Sequence, residues 1–146
     1  PSEPVTMAVS LTRSLGFRAI HRYFKPAWSE DLNRSRFGWT AEEPGHPHDY
    51  RCSVTVTGPL DPDTDMVLDL PELDRILAEE VTARLDGRHL NLDLPEFAYG
   101  RALPSCEALA RFLFQRIAPR LPAGVTLARV RVAEDASLHA DCTGDA

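Results

Sequence analysis

The sequence predicts an α+β domain whose strands form an antiparallel sheet, and three observations support this fold class. Apolar and polar residues alternate with a period of two near both ends of the chain, as in half-buried strands. Two stretches between them carry apolar residues at helical spacing. The chain has no internal repeat and no linker, so residues 1–146 are expected to form one domain. Strands, helices and strands in that order are typical of α+β proteins.

The N-terminal part of the chain predicts two strands separated by a long loop. The first strand is predicted over residues 5–21, because apolar residues occupy alternate positions on both sides of Gly16. Residues 25–49 are rich in Pro, Gly, Asn, Asp and Glu and are predicted to form a loop of a length that is often functional. The second strand is predicted over residues 50–58.

Two helices and two further strands are predicted in the C-terminal part. The first helix begins near Pro71, because proline is tolerated at the first helical position. The second begins after Ser105, a natural N-cap, and ends by Pro119. Residues 125–132 and 137–142 are predicted to be the last strands. The apolar stripes are Leu73, Ile76, Leu77, Val81 and Leu85 in the first helix, and Leu109, Phe112, Leu113 and Ile117 in the second.

Charge and composition exclude several classes of partner. The net charge of −6, from 16 basic and 22 acidic side chains, argues against binding to nucleic acid. No apolar run approaches the roughly 18–20 residues that span a membrane, and the N-terminus does not resemble a secretory signal. Cys52, Cys106 and Cys142 are odd in number and widely spaced, which fits a reducing compartment. We therefore expect a cytoplasmic protein.

Three of the five histidines are placed where a metal site can form. His46 and His48 lie two residues apart just before the second strand, so an extended backbone would point both side chains to one face. His21 ends the first strand, and antiparallel pairing would bring it beside them. Three neutral imidazoles with an open fourth position are typical of catalytic zinc. Spacing alone leaves other metals open, as well as a structural or surface role for the histidines.

Several stretches resemble the motifs of one enzyme family, in order and with its spacing. They match its FSAAHR strand, its HGHNY metal motif, its G-M-V-x-D-F-x-x-L segment, its LDHxxLN segment, its P-T-x-E-N-L-A helix and its V-x-V-x-E-T strand. The stretches are FRAIHRYFKPAWSEDLNRSRFG, GHPHDYRCSVTVTGPLDPDTDMVLDLPEL, LDGRHLNLDLPEF, PSCEALARFLFQRIAPRLP and VRVAEDAS. From about Phe17 onward, the chain resembles the zinc-dependent 6-pyruvoyl-tetrahydropterin synthase and 6-carboxytetrahydropterin synthase family.

This resemblance implies the tunnelling fold, in which an antiparallel sheet carries two helices on one face and subunits close a barrel. It implies a homotrimer, or a homohexamer of two stacked trimers, with active sites between subunits. The family's Zn²⁺ ligands correspond to His21, His46 and His48, and zinc acts there as a Lewis acid on a dihydropterin triphosphate. The glutamate that holds the pterin ring corresponds to Glu134, whose carboxylate can accept two N–H bonds. Asp135 replaces the neighbouring Thr and is a second candidate for substrate binding.

The proton-transfer residues depart from the family pattern. The catalytic Cys of the family corresponds to Thr40, whose hydroxyl does not ionise near neutral pH and cannot replace a thiolate base. The family's Asp-His pair corresponds to Asp86 and Gly87, so the histidine is missing. One branch of the family uses glutamate in an E-x-x-x-H-G-H arrangement, and Glu42 lies four residues before His46. The candidate catalytic residues are therefore Glu42 as the base, Asp86 and Thr40.

Other departures leave three functions open. Glu43, His89 or a zinc-bound hydroxide are alternative bases, and Glu42 can also be a solvated loop residue. Pro47 and Arg18 replace the usual Gly and Ser near the metal motif and affect pterin recognition. The first hypothesis is a zinc-dependent lyase or cyclase acting on a pterin or a similarly phosphorylated substrate. The second is a zinc enzyme repurposed for aldol, retro-aldol or condensation chemistry, and the third is a catalytically silent metal-binding homologue.

Overall fold

The computed structural model describes residues 7–144, and five strands in this range form one open sheet. The strands are β1 (Ser10–His21), β2 (His46–Thr57), β3 (Arg88–His89), β4 (Thr126–Asp135) and β5 (Leu138–Thr143), in the spatial order β3-β1-β2-β4-β5. Neighbouring strands are antiparallel except β3, which pairs parallel with Ala19 and Ile20 of β1. The predicted α+β class is confirmed, and the short parallel pair was not predicted. Val5, part of the predicted first strand, lies outside the described residues.

The described helices connect these strands. They are α1 (Glu30–Phe37), α2 (Leu70–Leu77), α3 (Ala83–Leu85), α4 (Leu90–Asp93) and α5 (Cys106–Ile117). A π-helical turn, Ala78–Thr82, joins α2 to α3, so the first predicted helix is one continuous stretch with an irregular middle. The Ser105 hydroxyl caps α5 as predicted, because its Oγ accepts a hydrogen bond from the Ala108 N–H at 3.1 Å. Within residues 7–144, no helix has the length and apolar character needed to cross a membrane.

The helices α2 and α5 bury their apolar stripes against one face of the sheet. Alternate residues of β1, β2 and β4 face these helices, and Phe17 stacks on Tyr50 with ring centroids 4.8 Å apart. The same core contains every predicted stripe residue except Phe112, which is only partly buried. The period-two and helical patterns therefore identified the two surfaces that meet in the core.

The other face of the sheet is polar. Thr12 on β1 and Thr55 on β2 are hydrogen-bonded through their hydroxyls at 2.8 Å, and Ser14 and Ser53 form the same pair at 2.8 Å. Small hydroxyl side chains pair across adjacent strands in this way without needing an apolar cover. This face is not a second core, and α2 and α5 both pack on the opposite face.

The prediction of a continuous loop over residues 25–49 was wrong. The segment contains α1 and a 3₁₀ turn, Gly38–Ala41, and its last residues already belong to β2. The helix has few apolar residues, so no stripe indicated it. Ser29 followed by two acidic residues was the available signal, since the Ser29 Oγ accepts from the Leu32 N–H at 3.1 Å.

Candidate metal and substrate site

The strand register brings the three predicted histidines together. In the β1–β2 ladder, His21 pairs with His46 and Ala19 pairs with His48, so all three side chains point to the helix-covered face. One nitrogen from each ring lies within 4.8 Å of the other two, a spacing that can hold a metal ion. His21 is fully buried and His46 is almost so, with 8% of its surface exposed. The predicted convergence of the three imidazoles is therefore present.

The nitrogen atoms of this cluster fit a shared cation. The Nε2 atoms of His21 and His46 face each other at 2.8 Å. The Nδ1 of His46 and the Nε2 of His48 are buried without a hydrogen-bond partner among the described residues. Buried polar atoms are normally paired, so unpartnered nitrogens in one cluster are the pattern expected of metal ligands.

The contacts of the other His21 nitrogen favour the tautomer that binds metal. His21 Nδ1 lies 3.1 Å from the carbonyl oxygen of Pro104 and 2.7 Å from the hydroxyl oxygen of Tyr50. A carbonyl oxygen can only accept, so Nδ1 carries the proton and the hydroxyl oxygen of Tyr50 can accept from it as well. The Nε2 lone pair is then free for a cation, as in many metal-bound histidines.

Burial keeps the imidazoles of His21 and His46 neutral. Burial, together with the neighbouring His46 and His48, lowers the pKa of His21 to about 3. Burial also lowers the pKa of His46, and His48 adds to the effect. A neutral imidazole is the form that binds a metal ion. Near neutral pH, His21 and His46 are therefore already in the form that can bind a metal ion.

Glu134 lies beside the histidine cluster at the end of β4. Its Oε2 is 3.1 Å from His48 Nε2, although this contact lacks the direction of a hydrogen bond. Its Oε1 accepts from the Cys106 thiol at 3.7 Å. Burial, with Glu134 adding to it, raises the pKa of Cys106 to about 12, so the thiol stays protonated as a donor. No sequence pattern indicated this role of Cys106, which is the first residue of α5.

Aromatic residues that the sequence analysis did not single out surround the cluster. Tyr23 contacts the His21 ring at 4.6 Å between centroids, and Trp39 contacts the His46 ring at 4.6 Å. Burial raises the pKa of Tyr23, and the nearby Glu134 adds to it. Trp39 remains 64% exposed, so it lies at the solvent side of the cluster.

The remaining predicted site residues make no hydrogen bond to the cluster. Asp86 accepts from the backbone N–H of Arg18 at 2.9 Å, and the Thr40 hydroxyl donates to the carbonyl oxygen of Phe37. Asp135 accepts from the N–H and hydroxyl of Ser137, both at 2.7 Å, and these bonds lower its pKa. Their predicted catalytic and binding roles therefore stay predictions.

Glu42 is exposed and lines a separate cavity of about 440 Å³ with Arg22 and Arg34. The alternative base His89 contacts the carbonyl oxygen of Pro44 through its Nε2 at 2.7 Å. Since a carbonyl oxygen only accepts, the Nε2–H of His89 donates this hydrogen bond. His89 therefore helps to hold the loop that contains Pro44, which is a structural role. Glu42 as the base also stays a prediction.

The chain is similar to known proteins in both sequence and fold. The family model described as 6-pyruvoyl tetrahydropterin synthase matches residues 10–145. The 6-pyruvoyl tetrahydrobiopterin synthase of Homo sapiens is 34% identical over 124 residues, which is 85% of this chain and 83% of the human protein. The Drosophila melanogaster protein of the same name is 34% identical over 124 residues, 85% of this chain and 73% of that protein.

Solved structures agree with this relationship. The 6-pyruvoyl tetrahydropterin synthase of Caenorhabditis elegans has a TM-score of 0.87 at 25% identity, covering 95% of this chain and 97% of that one. The Plasmodium vivax synthase has a TM-score of 0.66 at 13% identity, covering 97% and 100%, and shares the fold. The family model spans nearly the whole chain, and the convergent histidines match the family's metal motif. This chain therefore belongs to the 6-pyruvoyl tetrahydropterin synthase family.

Proposed function

We propose that this chain is a zinc-dependent lyase of the pterin synthase type, acting on a dihydropterin triphosphate or a similar polyhydroxylated, phosphorylated substrate. The observation that carries the proposal is the cluster of His21, His46 and His48 beside the carboxylate of Glu134. Three neutral imidazoles with an open position are the usual ligand set of catalytic zinc. Bound there, zinc would supply Lewis-acid polarisation of an oxygen on the substrate side chain.

Glu134 is proposed to hold the ring of the substrate next to the metal site. A carboxylate can accept two N–H bonds from the guanidine-like edge of a pterin. Cys106 donates to one of its oxygens, which fixes the carboxylate before the substrate arrives. Glu134 Oε2 also lies 3.1 Å from His48 Nε2. A pterin ring bound to Glu134 would therefore place the side chain of the substrate beside the histidine cluster. We propose Asp135 as a second, weaker contact, since Ser137 already occupies its Oδ1.

Glu42 is proposed as the base that takes a proton from the substrate. Its support is its place four residues before His46, together with a precedent in this fold. The Plasmodium vivax synthase was solved with its catalytic glutamate replaced by cysteine and by alanine. In this chain the Thr40 hydroxyl is bonded to a backbone carbonyl, so we propose that it only shapes the loop. General bases typically contribute about a hundred- to ten-thousandfold to turnover.

Assembly into a homotrimer or homohexamer is proposed from the open sheet. Within residues 7–144, β3 covers only two residues of the outer edge of β1, and β5 is the last strand at the opposite edge of the sheet. Exposed strand edges are usually covered, and closing a barrel across subunits covers both. Asp86 lies on the β1 edge, where a neighbouring subunit would approach it. We also propose a cytoplasmic location, in keeping with the three free cysteines.

A repurposed zinc enzyme is the second candidate function. Gly87 occupies the position of the family's histidine. Its φ is 73°, a backbone conformation that residues other than glycine rarely adopt. Together with the engaged Thr40, this favours chemistry that does not use the family's usual proton relay. Zinc-assisted aldol, retro-aldol or condensation chemistry on a non-pterin substrate would meet that condition. The complete histidine cluster speaks against a catalytically silent homologue.

Turnover and ligand binding by the zinc-loaded protein test the proposal. The primary assay is loss of a dihydropterin triphosphate, with Glu134→Gln expected to raise KM because one N–H acceptor is lost. A panel of pterins and non-pterin metabolites, scored by the rise in melting temperature, distinguishes the two candidates. Stabilisation by pterins alone supports the lyase. Stabilisation by non-pterin compounds alone would reject it in favour of the repurposed enzyme.

A further inference from the structure

Arg22 contacts both chain neighbours of Glu42. Its Nε donates to the carbonyl oxygen of Ala41 at 2.7 Å, and its Nη1 lies 3.5 Å from Oε1 of Glu43. The Arg22 side chain is only 11% exposed, and its guanidinium lies 4.0 Å from the centre of the Phe24 ring. A single buried cation therefore contacts residue 41 and residue 43, and Glu42 between them lines the same cavity as Arg22.

The backbone of Arg22 is itself fixed. Its N–H donates to Oδ1 of the buried Asn91 at 2.8 Å, and it directly follows the proposed metal ligand His21. The guanidinium therefore extends from a rigid strand end towards the loop that carries Glu42. The Glu42 N–H donates to the carbonyl oxygen of Trp39 at 3.1 Å, so the 3₁₀ turn is closed around the same point.

We infer that Arg22 is a positioning residue that holds Glu42 in place for proton transfer. The inference rests on the proposed role of Glu42 as the base. A planar guanidinium can address two acceptors in fixed directions, whereas a lysine ammonium is a flexible point charge that cannot hold both. Displacement of a catalytic group by about 1 Å can cost roughly a hundredfold in rate. Arg22 thus links the strand that carries His21 to the loop that carries Glu42.

The first measurement is the order of the loop that carries Glu42, determined by amide hydrogen exchange, because this measurement requires no substrate. Arg22→Lys is compared with Arg34→Lys, a change at another arginine that lines the same cavity. Amide hydrogen exchange at Glu42 should become about ten- to a hundredfold faster in Arg22→Lys, as loss of a hydrogen bond to a charged group predicts. Exchange should stay unchanged in Arg34→Lys, and zinc content should stay unchanged in both. Unchanged exchange at Glu42 in Arg22→Lys would overturn the inference.

Turnover of a dihydropterin triphosphate by Arg22→Lys, Glu42→Gln and the double variant is the second measurement. Arg22→Lys should lower kcat roughly ten- to a hundredfold with little change in KM, and it should have no further effect in the Glu42→Gln background. An equal loss in both backgrounds would overturn the positioning role, as would normal kcat in Arg22→Lys beside an impaired Glu42→Gln. Full activity of Glu42→Gln, or no turnover by the wild type, would instead reject the proposed function. The exchange measurement would still decide whether Arg22 orders the loop.

Discussion

The histidine cluster and the loop that precedes it are held in place by different means. Two 12-residue strands in continuous antiparallel register fix the positions of His21, His46 and His48. The loop between those strands depends on individual polar contacts, chiefly from Arg22 and the buried Asn33. Backbone ladders distribute their stability over many bonds, whereas a loop tied by a few side chains can be altered by one substitution.

Because of this difference, residues of the loop can change without moving the three histidines. The substitutions at Thr40 and Glu42 lie in the loop, and neither residue contributes to the β1–β2 ladder. Substitutions in the loop therefore leave the three histidines where the strand register puts them. We expect changes in the cluster and changes in the loop to have separable effects on metal content and on stability.

The largest expected effect is loss of metal from ligand variants. Wild-type protein should contain about one zinc per chain, and His46→Ala and His48→Ala should lose most of it. The loss in affinity should exceed the roughly 10–100-fold contributed by outer partners of metal ligands. Elemental analysis measures it, with His139→Ala as the control because His139 is an exposed residue on β5. Equal zinc in all four proteins would remove the basis of the proposed site.

A second prediction concerns Gly45, where the loop meets the first metal histidine of β2. Its φ is 114°, and a Cβ there would lie 2.5 Å from the carbonyl oxygen of His21. Gly100 also has a positive φ, of 89°, but a Cβ there would have no neighbour within 4 Å. Gly100→Ala should cost about 1–2 kcal/mol for the backbone conformation alone. Gly45→Ala should cost about 1–3 kcal/mol more because of the clash.

Urea denaturation of the two glycine variants gives these free energies of unfolding. Gly45→Ala should also lower zinc content, since the displaced carbonyl belongs to His21, a proposed metal ligand. Equal destabilisation by the two substitutions would show that the junction tolerates displacement, contrary to a rigid cluster.

A third prediction concerns Asn33, which holds the loop. Its Oδ1 accepts from the Lys25 N–H at 2.7 Å, and its Nδ2 donates to the carbonyl oxygens of Lys25 and Ser29, both at 3.0 Å. Asn33→Ala should lower the free energy of unfolding by about 1–3 kcal/mol, because partly buried backbone groups lose the hydrogen bonds of a buried side chain. Ser35→Ala, at an exposed position of the same helix, should have little effect. Thermal and urea denaturation measure both.

Zinc content should be unchanged in Asn33→Ala. If metal is lost together with stability, the loop and the cluster form one cooperative unit, and the contrast between them fails.

Sequence patterns located most of the fold because strands and helices repeat their signals. The alternation ending at His21 and the HxH spacing identified the metal cluster, and the resemblance identified Glu134. The helix α1 was missed because only Leu32 and Phe37 are apolar within it. The contacts of Arg22, and the bond between Cys106 and Glu134, join residues far apart in the chain, and such single polar contacts have no period to detect.

The smallest expected effect is the gain from restoring the family's usual residues with Thr40→Cys and Gly87→His. Gly87 has φ of 73°, and a Cβ there would meet no atom within 4 Å, so histidine fits at a backbone cost of about 1–2 kcal/mol. Cysteine at position 40 would weaken the bond that Thr40 donates to the Phe37 carbonyl oxygen. We therefore expect the double variant to keep fold and zinc but to gain far less than the roughly hundred- to ten-thousandfold of a well-placed base. Steady-state turnover of a dihydropterin triphosphate, with each single variant as a control, measures the gain. A full recovery would show that this loop places side chains as accurately as the strand ladder does. No gain at all with zinc intact would favour the repurposed enzyme.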